Sequence, residues 1–557
     1  MEKYETYQYD VLIIGSGGAG LCAAIAAKAE GVTVGLVCKS LLGKAHTVMA
    51  EGGIAAALGH LDTDDNWKVH YKDTIKGGAF INNWRMAEIL AKESPNCIKE
   101  LEQWGALFDR TEDGKTRQRS FGGHTYKRLC HIGDRTGLEV IRTLQDKCVA
   151  SGVDVHMECI ITHILKEDGR VTGAFGIFLN SGKFVVFKSK AVILATGGAG
   201  QIWEITSNSV DCTGDGYALA YFAGAELMNM EFVQFHPTGM AWPPGARGLL
   251  VTEAVRGDGG VLKNKSGERF MQKYDPVRME LSTRDLVARA IYNEVKQGRG
   301  TIHGGVHLDI SHKPKDYILK KLPSMYQQFL DLANVDITSE PMEVAPTCHF
   351  IMGGVKVNTE TCESAVPGLF AAGEVMGGVH GANRLGGNSM AVLPVFGKRA
   401  GKYASEYAKK LSGFSEIKEE TINVHEKELY SFFENQGDEN PYNLHQELKK
   451  TMTSNVGIMR NEQGLHAALD KITELKNRYR NISVSGETLY NSAWLIAISL
   501  KFMLNIAEAV TVSAIERKES RGAQAREDYP KTDIDWGKKN IRITYQKENP
   551  KISTFPI

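Results

Sequence analysis

The chain has no excess of charge of either sign, since Lys plus Arg and Asp plus Glu each number 66 in its 557 residues. This argues against a chain-wide field that would hold nucleic acid or an anionic membrane, while leaving room for a local cationic pocket. A cysteine pattern is also missing. The nine cysteines (Cys22, Cys38, Cys97, Cys130, Cys148, Cys159, Cys212, Cys348 and Cys362) are odd in number, scattered, and form no Cys-x-x-Cys pair. A disulfide framework and a self-contained iron–sulfur cluster are therefore not expected, and no metal site is read from the sequence. Long apolar runs are scarce. The most apolar stretch, Ala493 to Val510, is interrupted by Lys501, Asn505 and Glu508, and reads as too short for the ~30 Å of a bilayer core. Any membrane contact is expected through another subunit. The start of the chain shows no charged n-region, apolar h-region or twin-Arg segment, so a cytoplasmic location is expected. Repeats and low-complexity tracts are absent from the sequence.

A chain this long exceeds the roughly 100 to 200 residues of one domain, so more than one core is expected. Val11 to Ile14 reads as a buried strand, Gly15 to Gly20 as a turn, Leu21 to Glu30 as an Ala-rich helix and Val32 to Cys38 as a second strand. Further strand signals occur at Ala191 to Ala199, after a β-rich excursion from Val153 to Phe187, and at Gly368 to Glu374. Beyond about residue 420, apolar residues at three-to-four spacing mark helices at Glu426 to Glu434, Leu444 to Met459, Gly464 to Arg480 and Glu487 to Arg517. The tail after Ser520, rich in Lys, Asp and Pro, reads as irregular surface chain.

Gly15-Ser16-Gly17-Gly18-Ala19-Gly20 matches G-x-G-x-x-G between a strand and a helix, the context that turns a weak pattern into a dinucleotide site. The first glycine permits the turn, the second admits a pyrophosphate, and the third allows close helix packing, with phosphate at the helix N-terminus. The second strand ends in Lys39-Ser40 instead of the acidic residue that would grip a ribose, which weakens a plain NAD reading.

With Lys44-Ala-His-Thr-Val-Met-Ala-Glu-Gly-Gly-Ile54 the chain resembles the flavoprotein subunits of succinate dehydrogenase and fumarate reductase. The segments Glu231 to Gly239, Leu250 to Gly260, Ser282 to Arg289, Pro346 to Gly354, His380 to Ser389 and Glu519 to Ala523 match that family in order and spacing. One departure is Gln524, where many members have His after Gly-Ala. The resemblance implies an α/β fold: a Rossmann-like FAD-binding domain (1–233 and 346–405) with an inserted α+β capping domain (234–345), a helical domain (406–520) and a C-terminal segment (521–557). It implies FAD, covalent at His46, with Thr47, Gly52, Gly53, Asp215, Glu374, Ser389 and Met390 also at the cofactor, along with Lys39. It implies a C4 dicarboxylate substrate held by Arg384, His349, His236 and Thr252. A relay of Arg284, Glu253 and Arg256 would supply the proton.

These residue types suit the chemistry. A dicarboxylate needs fixed donors at both ends, and an arginine fork with histidine and hydroxyl donors provides them. Preorganised donors that polarise a carboxylate are worth roughly 3 to 4 kcal/mol each in a transition state. Glu253 and Arg256 stand at i, i+3, which puts them on one face of a helix. Phe121 reads as an apolar wall or an ordinary buried aromatic, and His124 and His131 as solvated or backbone-bonded loop residues. By the resemblance the partners are a quinone-reactive membrane anchor and an iron–sulfur subunit, which together would hold the chain at the inner face of the cell membrane. Glu51 resembles a glutamate of some fumarate reductases, and its charge beside the flavin would favour fumarate reduction slightly. The rivals are an L-aspartate oxidase, which the His46 string opposes, and a flavin-binding scaffold without turnover.

Overall fold

The computed structural model describes residues 4–546 and 550–557. Residues 1–3, where the expected leaderless start falls, and 547–549 of the C-terminal segment lie outside the described residues. The main sheet has seven strands, with Glu5–Ile14 at its centre, parallel to Val34–Val37 on one side and Phe184–Leu194 on the other. Asp154–His156 extends it beyond Val34–Val37, and Leu369–Ala371 joins Phe184–Leu194 in parallel register, Phe370 opposite Ile193. Cys159–Glu167 and Arg170–Phe178 add an antiparallel ribbon. The paired segments Val11–Ile14, Val34–Val37 and Ala191–Leu194 are buried throughout, as expected of a parallel sheet covered on both faces. Gly18–Ala29 packs along Asn388–Lys409, so residues about 370 apart in sequence form one nucleotide-binding layer.

Two strands leave this core to build a second one. Val233–Met240 pairs antiparallel with Met342–Ile351, which continues to Val306–Asp309 and Val261–Lys263. Val233, Cys348 and Ile351 belong to the main core, whereas Met240, Met342 and Val344 belong to the core packed by Arg284–Lys296 and Pro323–Ala333. Each strand thus carries the boundary within its length. The pairing shifts register at Gln234/Phe235 and again between His236 and Gly239, around Pro237. A proline has no N–H for the ladder and is tolerated at such irregularities, which re-aim neighbouring side chains.

The helices Glu419–Glu434, Pro441–Asn455, Glu462–Tyr479 and Ser492–Glu516 share the main core through Leu429, Leu444, Leu465 and Ile498. Ser492–Glu516 corrects the sequence expectation: at 25 residues and mean hydropathy 1.7 it is long and apolar enough to cross a bilayer. Its apolarity is explained by packing, because 78% of the apolar window is buried within the protein. The polar interruptions are satisfied locally. Lys501 pairs with Glu428, and Lys476 reaches both Asn505 and Glu508.

The tail is the other correction. In place of irregular chain, Lys539–Thr544 and Lys551–Pro556 form strands, and the first pairs with Leu227–Met228 in a sheet that continues to Gly354–Val355. Ile541 and Ile543 are fully buried, and Asn229 clamps the junction through Ile541 N at 2.9 Å and Asn540 Oδ1 at 2.6 Å. Two apolar residues alternating among Lys, Arg and Asn are too brief a pattern to announce a strand whose partner lies over 300 residues earlier.

Candidate active site

One cleft of about 1580 Å³, its solvent-open mouth included, runs from the Gly15 turn to the second core. Its first half is a dinucleotide cradle. Gly15 holds φ +111°, where an L side chain is strained, and a Cβ on it would stand 2.3 Å from Ala195 O. A Cβ on Gly20 would lie 1.8 Å from Gly15 O, so only glycine lets the helix begin this close to the strand end. Gly17 caps the helix, which therefore starts at Gly18 and not Leu21, and Gly18 N donates to Thr47 Oγ1 at 3.2 Å. Gly15, Ser16, Gly17, Gly18, Ala19, Lys39, His46, Thr47, Gly52, Gly53, Asp215, Glu374, Ser389 and Met390 all line the cleft, while Gly20 stands behind it. Lys39 Nζ is held by Thr213 Oγ1 at 2.9 Å, Asp215 Oδ2 at 3.1 Å and Ser499 Oγ at 3.1 Å. The ammonium at the strand end is thus fixed by an acid from another element.

His46 opens a short 3₁₀ turn, His46–Met49, and faces the cleft. Burial first, then Arg384, pushes its imidazole down to about 4, so it is a neutral nitrogen base at neutral pH. Its Nδ1 is buried without a protein partner, and Nε2 lies 3.5 Å from Asn208 Nδ2. A neutral imidazole with an unspent nitrogen inside a dinucleotide cradle fits the group that the sequence implies there.

Glu51 lies where burial disfavours a charged carboxylate. Burial pushes its carboxyl well above 4.5, Asp134 adds to the shift, and Arg119 opposes it only in part. Oε2 is buried with no hydrogen-bond partner. Burial thus favours the uncharged form of this carboxyl, and an uncharged carboxyl exerts no charge repulsion on a reduced ring, which weakens the electrostatic basis of the lean toward fumarate reduction.

The second half of the cleft is cationic. The bulges around Pro237 turn His236 inward, and Met342–Ile351 presents His349, their ring centroids 5.1 Å apart. Both imidazoles are held well below 6.5, His236 by burial and then Arg284, His349 by burial and then Arg384. Thr252 caps the short helix Glu253–Gly257, its Oγ1 accepting from Ala254 N at 3.3 Å. Glu253 therefore begins the helix, with Arg256 one turn on, its Nη2 3.6 Å from Glu253 Oε2. Arg284, first residue of its own helix, donates Nε to the same Oε2 at 2.8 Å and Nη1 to Gln234 Oε1 at 3.3 Å, leaving Nη2 with no acceptor among the described residues. Gly122 N binds Glu253 Oε1 at 2.7 Å. Burial would raise the Glu253 carboxyl, but Arg284 and Arg256 outweigh it and hold the group anionic, below 4.5. Arg256 is not on the cleft wall. It stands behind Glu253, fully buried, and its Nη1 donates to Glu280 O at 2.6 Å.

Arg384 is 2% exposed, stacks on the Phe350 ring at 4.4 Å, and donates Nη1 to Ser389 Oγ. Nε and Nη2 are buried without a partner. Burial and the neighbouring Arg284 press this guanidinium well below 12.5. Glu374, pushed up to about 7 by burial, receives Ile351 N at 3.0 Å. Three buried guanidinia, Arg256, Arg284 and Arg384, stand against one anionic carboxylate, Glu253, which leaves two positive charges, so a dianion is the missing complement. Phe121 lines the cleft beside Gly52. His124 is half-buried and backbone-bonded, its Nε2 2.8 Å from Gly386 O, whereas His131 is buried beside Asp109 and not solvated.

Sequence reasoning missed Gln234, Ser207, Asn208 and the role of Phe350. Gln234 sits inside a segment that reasoning had singled out, and its spacing from His236 on a strand was the available signal; Ser207 and Asn208 had none.

Residues 10–390 match the family described as FAD binding domain, and residues 445–557 match fumarate reductase flavoprotein C-term. The chain is 48% identical to a chain of the fumarate reductase (CoM/CoB) of Methanothermobacter marburgensis, over 98% of this chain and 98% of that one. It is 37% identical to the succinate dehydrogenase flavoprotein subunit of Rickettsia bellii, over 95% of this chain and 92% of that one. Among solved structures it is similar to Sdh1 of Mycobacterium smegmatis in complex with UQ1, with TM-score 0.89, 50% identity and coverage of 99% and 94%. It is also similar to a quinol-fumarate reductase with menaquinol molecules, with TM-score 0.94, 34% identity and coverage of 99% and 98%.

Proposed function

The chain belongs to the family of succinate dehydrogenase and fumarate reductase flavoprotein subunits, FAD-dependent oxidoreductases, and on that premise we infer that it interconverts succinate and fumarate at the cationic half of the cleft. The observation that carries this reading is Arg384: a buried guanidinium with two unspent donors, beside a second guanidinium already joined to a carboxylate. Arg384 grips one carboxylate, and His349, His236 and Thr252 hold the oxygens of the dianion by neutral donors. FAD held in the first half of the cleft would supply the hydride chemistry at one substrate carbon. Arg284 Nη2 gives a proton to the other carbon or takes it away. An isolated guanidinium holds its proton too tightly for this, with a pKa above about 12. Glu253, in contact with both arginines, returns the proton to Arg284, and Arg256 resupplies Glu253. The chain's own contribution is thus to orient a dianion, exclude water, and keep one proton at Arg284.

An amino acid fits this site less well, because both oxygens of Glu253, the carboxylate among the described residues beside Arg284 and the histidines, are engaged and not free to face an ammonium group. The nine free cysteines are all buried, and the onward path for electrons is a partner subunit bearing iron–sulfur clusters. That partner, joined to a quinone-reactive anchor, would place the chain at the inner membrane face.

The test is an assay of flavin-loaded protein with a redox dye in place of the partner. Succinate oxidation and fumarate reduction should both occur and both be inhibited competitively by malonate; turnover of L-aspartate without succinate turnover would refute the reading. We place the flavin bond at His46. After acid denaturation, flavin fluorescence should stay with the polypeptide on a gel, and His46→Ala should release it all. Complete release from the unmutated chain would remove His46 from that role.

A further inference from the structure

The two ring nitrogens of His349 have different surroundings. Nδ1 lies 2.8 Å from the hydroxyl oxygen of Ser207, a residue 1% exposed, while the ring faces the substrate half of the cleft. A neutral imidazole carries a single N–H, and which nitrogen bears it is set by the bond the other nitrogen makes. Burial keeps this imidazole neutral. The question is where the Ser207 proton goes. Two acceptors are within reach: His349 Nδ1 at 2.8 Å and Cys348 O at 3.3 Å. Cys348 O already accepts Ser207 N at 3.0 Å and Thr206 Oγ1 at 3.0 Å. Those bonds occupy both lone pairs of the carbonyl, so the hydroxyl proton is left for Nδ1. Asn208 Nδ2, donating to His349 O at 2.9 Å, anchors the same turn to the same strand.

We propose that Ser207 is a positioning residue that donates to His349 Nδ1 and so fixes the Nε2–H tautomer, making His349 a hydrogen-bond donor to a substrate carboxylate. With the opposite tautomer a nitrogen lone pair would face the carboxylate and repel it. The proposal rests on the reading of His349 as a carboxylate donor.

The test uses flavin-loaded protein and malonate, a dicarboxylate that takes no hydride, with the dissociation constant read from the flavin absorbance change. Ser207→Ala should weaken binding about tenfold, the worth of one hydrogen bond of this kind. Ser207→Thr, which keeps the hydroxyl, should bind within about twofold of wild type. In a His349→Ala background, already weakened, Ser207→Ala should cost less than about twofold more, since the hydroxyl then has no imidazole to orient. Equal losses in the two backgrounds would mean that Ser207 acts on the backbone and would overturn the proposal. If Ser207→Ala does not fold, Ser207→Cys, whose thiol is a weak donor, replaces it: a loss that disappears without His349 supports the proposal, and wild-type affinity overturns it. Unchanged malonate affinity in His349→Ala alone would refute the carboxylate reading of His349, and the proposal with it.

Discussion

Arg284→Lys is expected to lower turnover by about 10³-fold while malonate affinity stays within about threefold of wild type. The guanidinium of Arg284 makes three separate uses of its fork: Nε to Glu253, Nη1 to Gln234, and Nη2 toward the cleft. A lysine ammonium is a point donor on a flexible stem and cannot hold Glu253 and reach the substrate carbon together. The proton path is then broken between Glu253 and the substrate. General acid–base groups contribute about 10² to 10⁴ in rate, and this one has no substitute, since His236 and His349 are held neutral. Binding survives because Arg384, His349, His236 and Thr252 remain. A variant that loses turnover and keeps its ligand has lost an interaction made only in the transition state. Steady-state rates in both directions with the malonate titration decide the matter; turnover within tenfold of wild type would take Arg284 out of the mechanism.

Arg384→Lys should show the opposite pattern, with malonate affinity falling by about 100-fold or more. Nε and Nη2 of Arg384 are unspent buried donors on the cleft wall, set by Nη1 on Ser389 and by the Phe350 ring beneath. Lysine has no fork for a carboxylate and stacks less well on an aromatic face. Burial adds to the loss. This environment already depresses a guanidinium well below its usual range, and an ammonium starts lower, near 10.4, so the replacement sheds its charge more readily. Truncating one partner of a buried charge pair costs about 2 to 5 kcal/mol, which brackets the expected factor. Flavin content and the absorbance spectrum should be unchanged. Affinity within threefold of wild type would show that the dianion is held elsewhere.

The two arginines also show how far the sequence could be read. The Gly15 to Gly20 turn was legible because its chemistry is local: strand, glycines and helix stand within twenty residues, and backbone sterics alone demand glycine at Gly15 and Gly20. Arg284, Glu253, His349 and Arg384 were legible only through motif resemblance, as their spacing in sequence says nothing about a common cleft. Ser207 and Gln234 carry no motif; they matter because strands folded from distant segments bring a hydroxyl to His349 and an amide to Arg284. The C-terminal strands were misread for the same reason, since the edge they complete is made by Leu227–Met228.

Glu51 marks the limit most clearly. Its identity suggested a charge beside the flavin, and its burial, with Asp134 nearby, opposes that charge. By itself the sequence determined the dinucleotide turn, the α/β order of elements and the set of residue types that a dicarboxylate oxidoreductase requires. Only the tertiary structure decided which of those groups burial drives from their charged forms, which hydroxyl meets His349, and which donors remain unspent. The reason is physical: propensity and sterics act over a few residues, whereas desolvation and hydrogen-bond saturation depend on every atom that packing brings near, whatever its place in the chain.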